Sequence, residues 1–501
     1  MLPVGQGTWF SLCLATRRCR SLRLSILAPR HCLLLCAVVV AQALAASTVL
    51  AGTSGERAQL LAVYRQAQLH DAELRAARAD YAARQEAVPQ ARANLLPALS
   101  SSATFESSHL SRDEPELART RSQTTLQANL KQPLVNLAFW YDLAAAHASV
   151  AQAALELSDK EQALVLKTAE AYFETLRATD EQAASQAEEI ALKQQLDQAQ
   201  ARLKSGLSSI TDVLDAQSAH DNAQANSKLA ERKVEDAFEL LTRLTNARYL
   251  SIEGIQHQMP VAAPVPADAQ SWVDAAARQN LALLASNFAV QAAQERISQQ
   301  RAGHAPTLDA VASYRRGDND SFGYSNPSDF GRDGYRSPVA QGSIGLEVTL
   351  PLYSGGRVSS RVRESYDRLV ESEEVREGRR REVVFNTRNF YRAVNSDIEQ
   401  ISARRQTILS SQGSLRASKA GADLGTRNTV DVLNAQRQLY RSVRDYNNAR
   451  YDYILNTLRL QQVAGTLSER DLILLSGYLK TDYQPSRDFL PPELRAREHS
   501  G

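Results

Sequence analysis

The chain has 501 residues, of which 43% are hydrophobic and 23% are charged, and its formal net charge is +2 at pH 7. This composition excludes wholesale disorder. Residues 1–45 have the pattern of a cleaved export signal, with basic residues up to Arg30, an apolar run over 33–40 and a small-x-small sequence over 43–45. A transmembrane anchor is the alternative, but it requires about 20 apolar residues, more than this run provides.

Removal of the predicted leader changes the charge and the cysteine content. The leader contains five of the 58 basic residues and none of the 56 acidic ones, so 53 basic residues remain and the net charge becomes −3. A chain without a basic excess is not expected to bind nucleic acid. All four cysteines lie within the first 36 residues. Disulfide frameworks and thiolate zinc sites are therefore excluded from the mature chain.

The next feature is an internal repeat. Residues 203–217 read LKSGLSSITDVLDAQ, and residues 422–436, 219 positions later, read ADLGTRNTVDVLNAQ. Pro133-Leu134 and Pro351-Leu352 match at a spacing of 218. We predict a tandem duplication of about 215 residues. The predicted organisation is a first repeat over 46–255, a linker over 256–270, a second repeat over 271–470 and an extended polar tail over 471–501.

Each repeat is predicted to begin with a helical stretch, 56–94 in the first repeat and 271–303 in the second. Pro97 and Pro306 end these stretches, because proline disfavours helix at its own position and at the preceding residue. The hydrophobic period then changes from 3.6 to 2, which is typical of strands with one apolar face. The predicted strands cover 98–107 and 120–132 in the first repeat and 307–316 and 339–350 in the second.

A long helix and a return helix follow the strands in each repeat. Gly206 and Gly425 mark the turns between them, as left-handed C-caps do. A helix of about 66 residues would be about 100 Å long and would need helical neighbours to be stable. The predicted long helices cover 137–203 and 357–420, and the return helices cover 209–246 and 428–464.

The predicted strands constrain the assembly of the protein. Strands of about ten residues with one apolar face suit a membrane β-barrel, and a soluble sandwich is disfavoured because the polar faces lack a second apolar layer. Four strands cannot close a barrel, and open edges are not tolerated in lipid. We therefore expect association through the strands. Two chains would give eight strands, whereas three would give twelve with room for an open lumen.

The order of helix, hairpin, long helix, turn and return helix, with GLSSITDVLDAQ and GTRNTVDVLNAQ at the turns, resembles the TolC family of outer-membrane channel proteins. The resemblance covers about residues 56–470. It implies a mainly α fold with a β-barrel portion: a homotrimer with a twelve-stranded outer-membrane barrel, four strands from each chain, above a long periplasmic tunnel of coiled-coil helices. It also implies a periplasmic adaptor protein that joins the tunnel to an inner-membrane ABC transporter. Within the family the sequence resembles the cyclolysin secretion proteins, which implies type I secretion with a protein toxin as cargo.

The resemblance places the two helical turns at the periplasmic end of the tunnel. Three copies of one acid there would form a ring whose field is strengthened in a narrow pore. Ala422 stands where the family pattern has a linking tyrosine, so the closed state is expected to rest on fewer contacts. The implied residues are Asp431 and Asn434 (in place of a second acid) at the aperture, Thr211, Asp212 and Arg427 as links between neighbouring hairpins, and Gly206, Leu207, Gly425 and Thr426 as adaptor contacts.

Helix capping is a simpler explanation of the two aspartates. Ser209 and Asn428 are good N-cap residues, and Asp212 and Asp431 follow them by three positions. A carboxylate at that position complements the free amides and the dipole at the helix start. Both roles can coexist, because the start of the helix is also the tip of the hairpin.

The sequence offers no catalytic motif. We find no HExxH, P-loop, dinucleotide-binding glycine pattern or G-x-S-x-G, and therefore predict no enzymatic activity, no cofactor and no metal. The main hypothesis is a passive outer-membrane conduit for protein export. An outer-membrane channel for efflux of small molecules is the first alternative, and a periplasmic coiled-coil scaffold is the second.

Overall fold

The computed structural model describes residues 56–113, 116–318, 322 and 337–492. The predicted leader, most of the polar loop between the third and fourth strands, and the last nine residues of the predicted tail lie outside these ranges. Within the described parts of the chain, no helix has both the length and the apolar composition needed to cross a membrane.

The first repeat begins with four short elements rather than with one helix. They are strand β1 (Glu56–Ala58) and helices α1 (Leu60–His70), α2 (Ala72–Gln85) and α3 (Ala87–Ala93). Asp71 has an extended backbone between α1 and α2 and accepts a hydrogen bond from the Leu74 amide, which makes it the N-cap of α2. The helical stretch predicted over 56–94 therefore consists of a short strand followed by three separate helices.

The second repeat has the same break. Helices α6 (Ala269–Gln279) and α7 (Leu281–Arg301) are separated by Asn280, which is extended and accepts from the Leu283 amide. The helical stretch predicted over 271–303 is therefore divided into two helices at Asn280, since a polar residue that caps the following helix also interrupts the preceding one.

Four strands form one antiparallel sheet in the order β2-β3-β6-β7. They cover Ala98–Arg112, Leu117–Val135, Thr307–Asp318 and Pro338–Thr349. Leu130 lies opposite Leu99 on one side and opposite Ala312 on the other, and Ala312 lies opposite Ile344. Because directly opposed residues point to the same side of a sheet, the apolar positions of all four strands share one face. That face is exposed, and Ile344 on it is 90% accessible.

Long helices follow the sheet. Helix α4 (Leu137–Lys204) has 68 residues and is followed by α5 (Ile210–Thr245), while α8 (Arg357–Asp423) has 67 residues and is followed by α9 (Thr429–Val463). We call α4 with α5 the first hairpin and α8 with α9 the second hairpin. The main hydrophobic core includes Tyr172 and Phe173 of α4 and Tyr451 of α9, with ring centroids of Phe173 and Tyr451 6.1 Å apart.

The C-terminal segment folds back onto this core. Helix α10 (Glu469–Ser476), strand β8 (Leu479–Lys480) and helix α11 (Pro485–Asp488) lie within the region predicted as an extended tail. Strand β8 pairs with β5 (Gly254–Ile255), which follows strand β4 (Tyr249–Ile252) at the end of the first repeat, and Phe489 is 1% exposed. The extended tail is therefore wrong as far as residue 492, because the segment contains apolar side chains that complete the core.

Candidate functional site at the two helical turns

Two turns with the same backbone geometry connect the helices of each hairpin. Gly206 and Gly425 have φ angles of +72° and +73°, the left-handed region that favours glycine. In the first turn the Leu207 amide donates to the Arg202 carbonyl at 2.8 Å and the Gly206 amide to the Leu203 carbonyl at 2.9 Å. This is the Schellman arrangement, and the second turn repeats it with Thr426 and Gly425 as donors. The predicted left-handed C-caps are confirmed.

Asp212 is held within its own turn. The Asp212 amide donates to the Ser209 hydroxyl at 3.1 Å, and the Asp212 carboxylate accepts from the Ser209 amide at 2.9 Å. The Ser208 hydroxyl donates to the same carboxylate oxygen at 2.8 Å. The hydrogen bond from the Ser209 amide, followed by that from Ser208, holds the pKa of Asp212 below its usual range. The capping role predicted for Asp212 is confirmed.

Asp431 caps its helix in the same way but with weaker contacts on its carboxylate. The Asp431 amide donates to the Asn428 side-chain oxygen at 2.8 Å, and the Asn428 amide reaches the Asp431 carboxylate at 3.3 Å. The Arg427 guanidinium lies 3.8 Å from the same carboxylate. The capping role is confirmed here as well. Compared with Asp212, Asp431 retains more capacity to interact with groups outside the turn.

The other predicted site residues lie at the surface of the two turns. Thr211 is exposed on the first turn of α5, Asn434 is exposed on the second turn of α9, and Thr426 is exposed beside Gly425. Leu207 is one of the most exposed large apolar side chains of the chain at 79%. The geometry therefore leaves these side chains available to a partner. The roles of aperture, gate link and adaptor contact stay predictions.

A contact between the two hairpins was missed by sequence reasoning. The Arg202 guanidinium, near the end of α4, lies 3.1 Å from the carboxylate of Asp423, the last residue of α8. Beneath it is a small apolar cluster in which Leu433 of the second hairpin packs among residues of the first. The only sequence signal was a pair of opposite charges placed shortly before the two turn glycines.

The described residues do not form a candidate metal site. Among them, no group of three or more histidine, cysteine, aspartate or glutamate side chains is arranged to hold a metal ion. Asp212 and Asp431 take part instead in helix capping, and Asp431 also lies near the Arg427 guanidinium.

The architecture and the two turns define a class of protein with known members. The family model described as outer membrane efflux protein matches residues 63–247 and 272–466, one range in each repeat. Outer membrane protein TolC of Escherichia coli is 33% identical over 435 residues, which cover 87% of each chain. Proteases secretion protein PrtF of Dickeya chrysanthemi is 26% identical over 448 residues, covering 86% of this chain and 93% of its own.

The fold agrees with a solved structure. The outer membrane protein VceC of Vibrio cholerae superposes with a TM-score of 0.68 and 18% identity over 81% of this chain and 96% of its own. The chain belongs to the outer membrane efflux protein family. It is therefore an outer-membrane channel of the TolC type, a passive conduit and not an enzyme.

Proposed function

We propose that the chain is the outer-membrane channel of a type I secretion system. Three copies form a passive conduit that carries a protein toxin of the cyclolysin, or adenylate cyclase, type out of the cell. The toxin comes from an inner-membrane ABC transporter through a periplasmic adaptor protein. The observation that carries the proposal is a sheet with an exposed apolar face joined to helices of 68 and 67 residues.

The sheet supports a trimer. Its edge strands are β2 and β7, and its apolar face would require lipid or protein to cover it. A membrane does not tolerate open strand edges, so each edge needs a partner strand. Pairing β2 of one copy with β7 of the next in a ring of three gives a closed barrel of twelve strands with an open lumen.

The turns support an aperture at the opposite end of the helices. In a trimer Asp431 would contribute three carboxylates to one ring, with Asn434 one helical turn further along α9. Thr211, Asp212 and Arg427 would link neighbouring hairpins. The exposed Leu207 and Thr426, next to Gly206 and Gly425, would contact the adaptor.

Protein cargo is supported by a relative whose own name is proteases secretion protein. Efflux of small molecules is the second candidate, and the description of the matching family favours it. The decisive experiment is deletion of the gene with complementation. We expect a large secreted protein to disappear from the culture medium and to accumulate in the cell, while drug sensitivity stays at the parental level.

The opposite result, increased drug sensitivity with normal secretion, would favour the efflux channel. Purified protein in planar lipid bilayers tests both candidates against the periplasmic scaffold. A preparation that is monomeric in detergent and forms no conducting pores would contradict every channel function.

A further inference from the structure

The last described segment of the chain is held on the main core by few contacts. We call residues 477–492, which follow α10, the C-terminal strap. Leu479, Tyr483 and Phe489 are its buried side chains in the core, and β8 forms a ladder of only two residues with β5. The Asn447 side chain of α9 donates to the Phe489 carbonyl at 2.9 Å. A segment with so few contacts can open locally at a lower free energy than the whole protein.

Tyr483 is the point at which the strap meets three other parts of the chain. Its hydroxyl donates to the Asp180 carboxylate of α4, and its ring lies against Gly254 of β5. Its carbonyl accepts from the Arg57 guanidinium of β1 at 3.1 Å, and the residue is 4% exposed. Displacement of the strap would therefore break contacts with α4, β5 and β1 together and would open the site around Asp180 to water.

Two buried acids border Tyr483, namely Asp180, which accepts from its hydroxyl, and Glu253, which precedes Gly254. They are 6% and 5% exposed. The printed partners of the Asp180 carboxylate are uncharged tyrosine hydroxyls, and Oε1 of Glu253 has no hydrogen-bond partner in the described part of the chain. A carboxylate buried in this way is costly unless a cation or water compensates it. Burial accordingly raises the pKa of both acids, to about 7 for Asp180.

The charged groups around the two acids offset burial only in part. The hydrogen bond from Tyr451 and then the charge of Arg450 lower the pKa of Asp180. The Arg450 guanidinium, however, donates to His257 and to the Gln256 carbonyl. The remaining ionisable groups that act on the two acids or on their tyrosine partners are Asp488 of the strap, Arg57 of β1, and Tyr172 and Arg177 of α4. The balance at Asp180 still favours the protonated form up to about pH 7.

We propose that the C-terminal strap is a proton-controlled latch, which stays closed while Asp180 carries a proton and opens when Asp180 is ionised, with Glu253 acting in the same direction. The strap is the part that can move, because α4 and α9 extend well beyond this point whereas the strap has few contacts. Opening admits water to both carboxylates and separates β8 from β5. This device is a property of the fold and is independent of the cargo that the channel carries.

The pH range of the latch follows from the two states of Asp180. The closed strap holds the proton up to about pH 7, whereas an open, hydrated carboxyl loses it near about pH 4. Between these values the ratio of open to closed strap should rise about tenfold for each pH unit, and above about pH 7 it should level off. From pH 5 to pH 7.5 we expect the strap to open about 10- to 100-fold more often.

Hydrogen exchange measured by mass spectrometry on the mature protein in detergent tests the latch. For each peptide, the exchange rate is divided by that of an unstructured chain at the same pH, which removes the intrinsic effect of pH. Peptides from 477–492 should lose protection by about 10- to 100-fold between pH 5 and pH 7.5, whereas peptides from 164–176 in the core of α4 should keep it. Equal protection of the strap at the two pH values, or a loss shared by all peptides, would overturn the proposal.

Asp180→Asn removes the titrating group, so protection of the strap should become nearly independent of pH. Adding Glu253→Gln should remove what pH dependence remains. The matched control is Asp197→Asn, a change in the same helix at an acid whose side chain is 57% exposed, and it should keep the parental pH dependence. A parental pH dependence in Asp180→Asn would overturn the latch.

A covalent closure of the strap does not depend on how that variant folds. Ile255 of β5 lies directly opposite Leu479 of β8, and the predicted mature chain contains no cysteine. Ile255→Cys combined with Leu479→Cys can therefore be oxidised to a disulfide that ties the strap to β5. With the disulfide, the loss of protection between pH 5 and pH 7.5 should fall below about threefold, and reduction should restore it. A parental loss of protection in the fully oxidised protein would contradict the latch.

Discussion

The Tyr451 hydroxyl donates a hydrogen bond of 2.6 Å to the carboxylate of Asp180, and this contact joins α9 to α4 inside the main core. The Tyr483 hydroxyl, from the C-terminal segment, donates to the other oxygen of the same carboxylate. One buried acid therefore connects three parts of the chain that are far apart in sequence. Burial raises the pKa of Asp180 to about 7, against the lowering effect of the Tyr451 hydrogen bond.

The first prediction concerns the pH dependence of stability. With a pKa of about 7, folded Asp180 retains its proton between about pH 4 and 7, whereas the unfolded chain loses it. The folded state then binds more protons, so stability falls as the pH rises through this window, by up to about 4 kcal/mol. We expect a higher melting temperature at pH 5 than at pH 7.5 in thermal scans of detergent-solubilised protein. Asp180→Asn should lose most of this difference, and a parental melting temperature that is flat or rising would contradict the assignment.

The second prediction concerns the turn glycines. Gly206→Ala and Gly425→Ala place a Cβ on a left-handed backbone, which costs about 1 kcal/mol each. Gly413 lies inside α8, and a Cβ added there would meet no heavy atom within 4 Å beyond the backbone of its own helix, so Gly413→Ala is the matched control. It should stabilise the protein by about 0.5–1 kcal/mol, because alanine favours helix over glycine. Thermal melting of the three variants measures whether each change raises or lowers stability. Destabilisation by Gly413→Ala would contradict the explanation that only the left-handed glycines resist a side chain.

The third prediction separates capping from a pore role. Asp431→Ala should weaken block of the channel by multivalent cations, since it removes three carboxylates from the proposed ring. Asn434→Asp should strengthen that block by adding a second ring. Asp268→Ala is the control, because it removes the N-cap of α6, worth about 1 kcal/mol, and belongs to neither turn. Cation titration in planar bilayers gives the block constants. Unchanged block in Asp431→Ala would leave that residue with capping alone.

The fourth prediction concerns the C-terminal segment. Phe489 is buried in the main core, and Phe489→Ala should lower the free energy of unfolding by about 3–5 kcal/mol. Leu474→Ala is the comparison, since Leu474 belongs to the neighbouring helix α10 but is exposed, and it should change stability by less than about 0.5 kcal/mol. Equal effects of the two changes in thermal melting would indicate that the segment does not contribute to the core.

Local periodicity predicted the sheet and the long helices, because strands and amphipathic helices repeat their apolar residues over many positions. The breaks at Asp71 and Asn280 were not predictable in the same way, since a polar residue looks alike inside a helix and at its cap.

For the candidate site, the sequence likewise predicted the local features of each turn but not the contacts between residues that are far apart in the chain. The turn glycines and the capping acids follow from short motifs within each turn. The Arg202–Asp423 pair joins residues 221 positions apart, and the Tyr483–Asp180 contact joins residues 303 positions apart. Neither pairing leaves a local pattern, and both depend on how the hairpins pack.

The pairing of β8 with β5 joins the C-terminal segment to the middle of the chain. Gly254 has no room for a side chain because the Tyr483 ring lies against it, so the connection between the repeats is shaped around a residue made much later. Without residues 479–483, strand β5 lacks its partner strand and the Asp180 carboxylate keeps only one of its two tyrosine donors. The contacts between the two halves of the chain are therefore complete only when the C-terminal segment is in place.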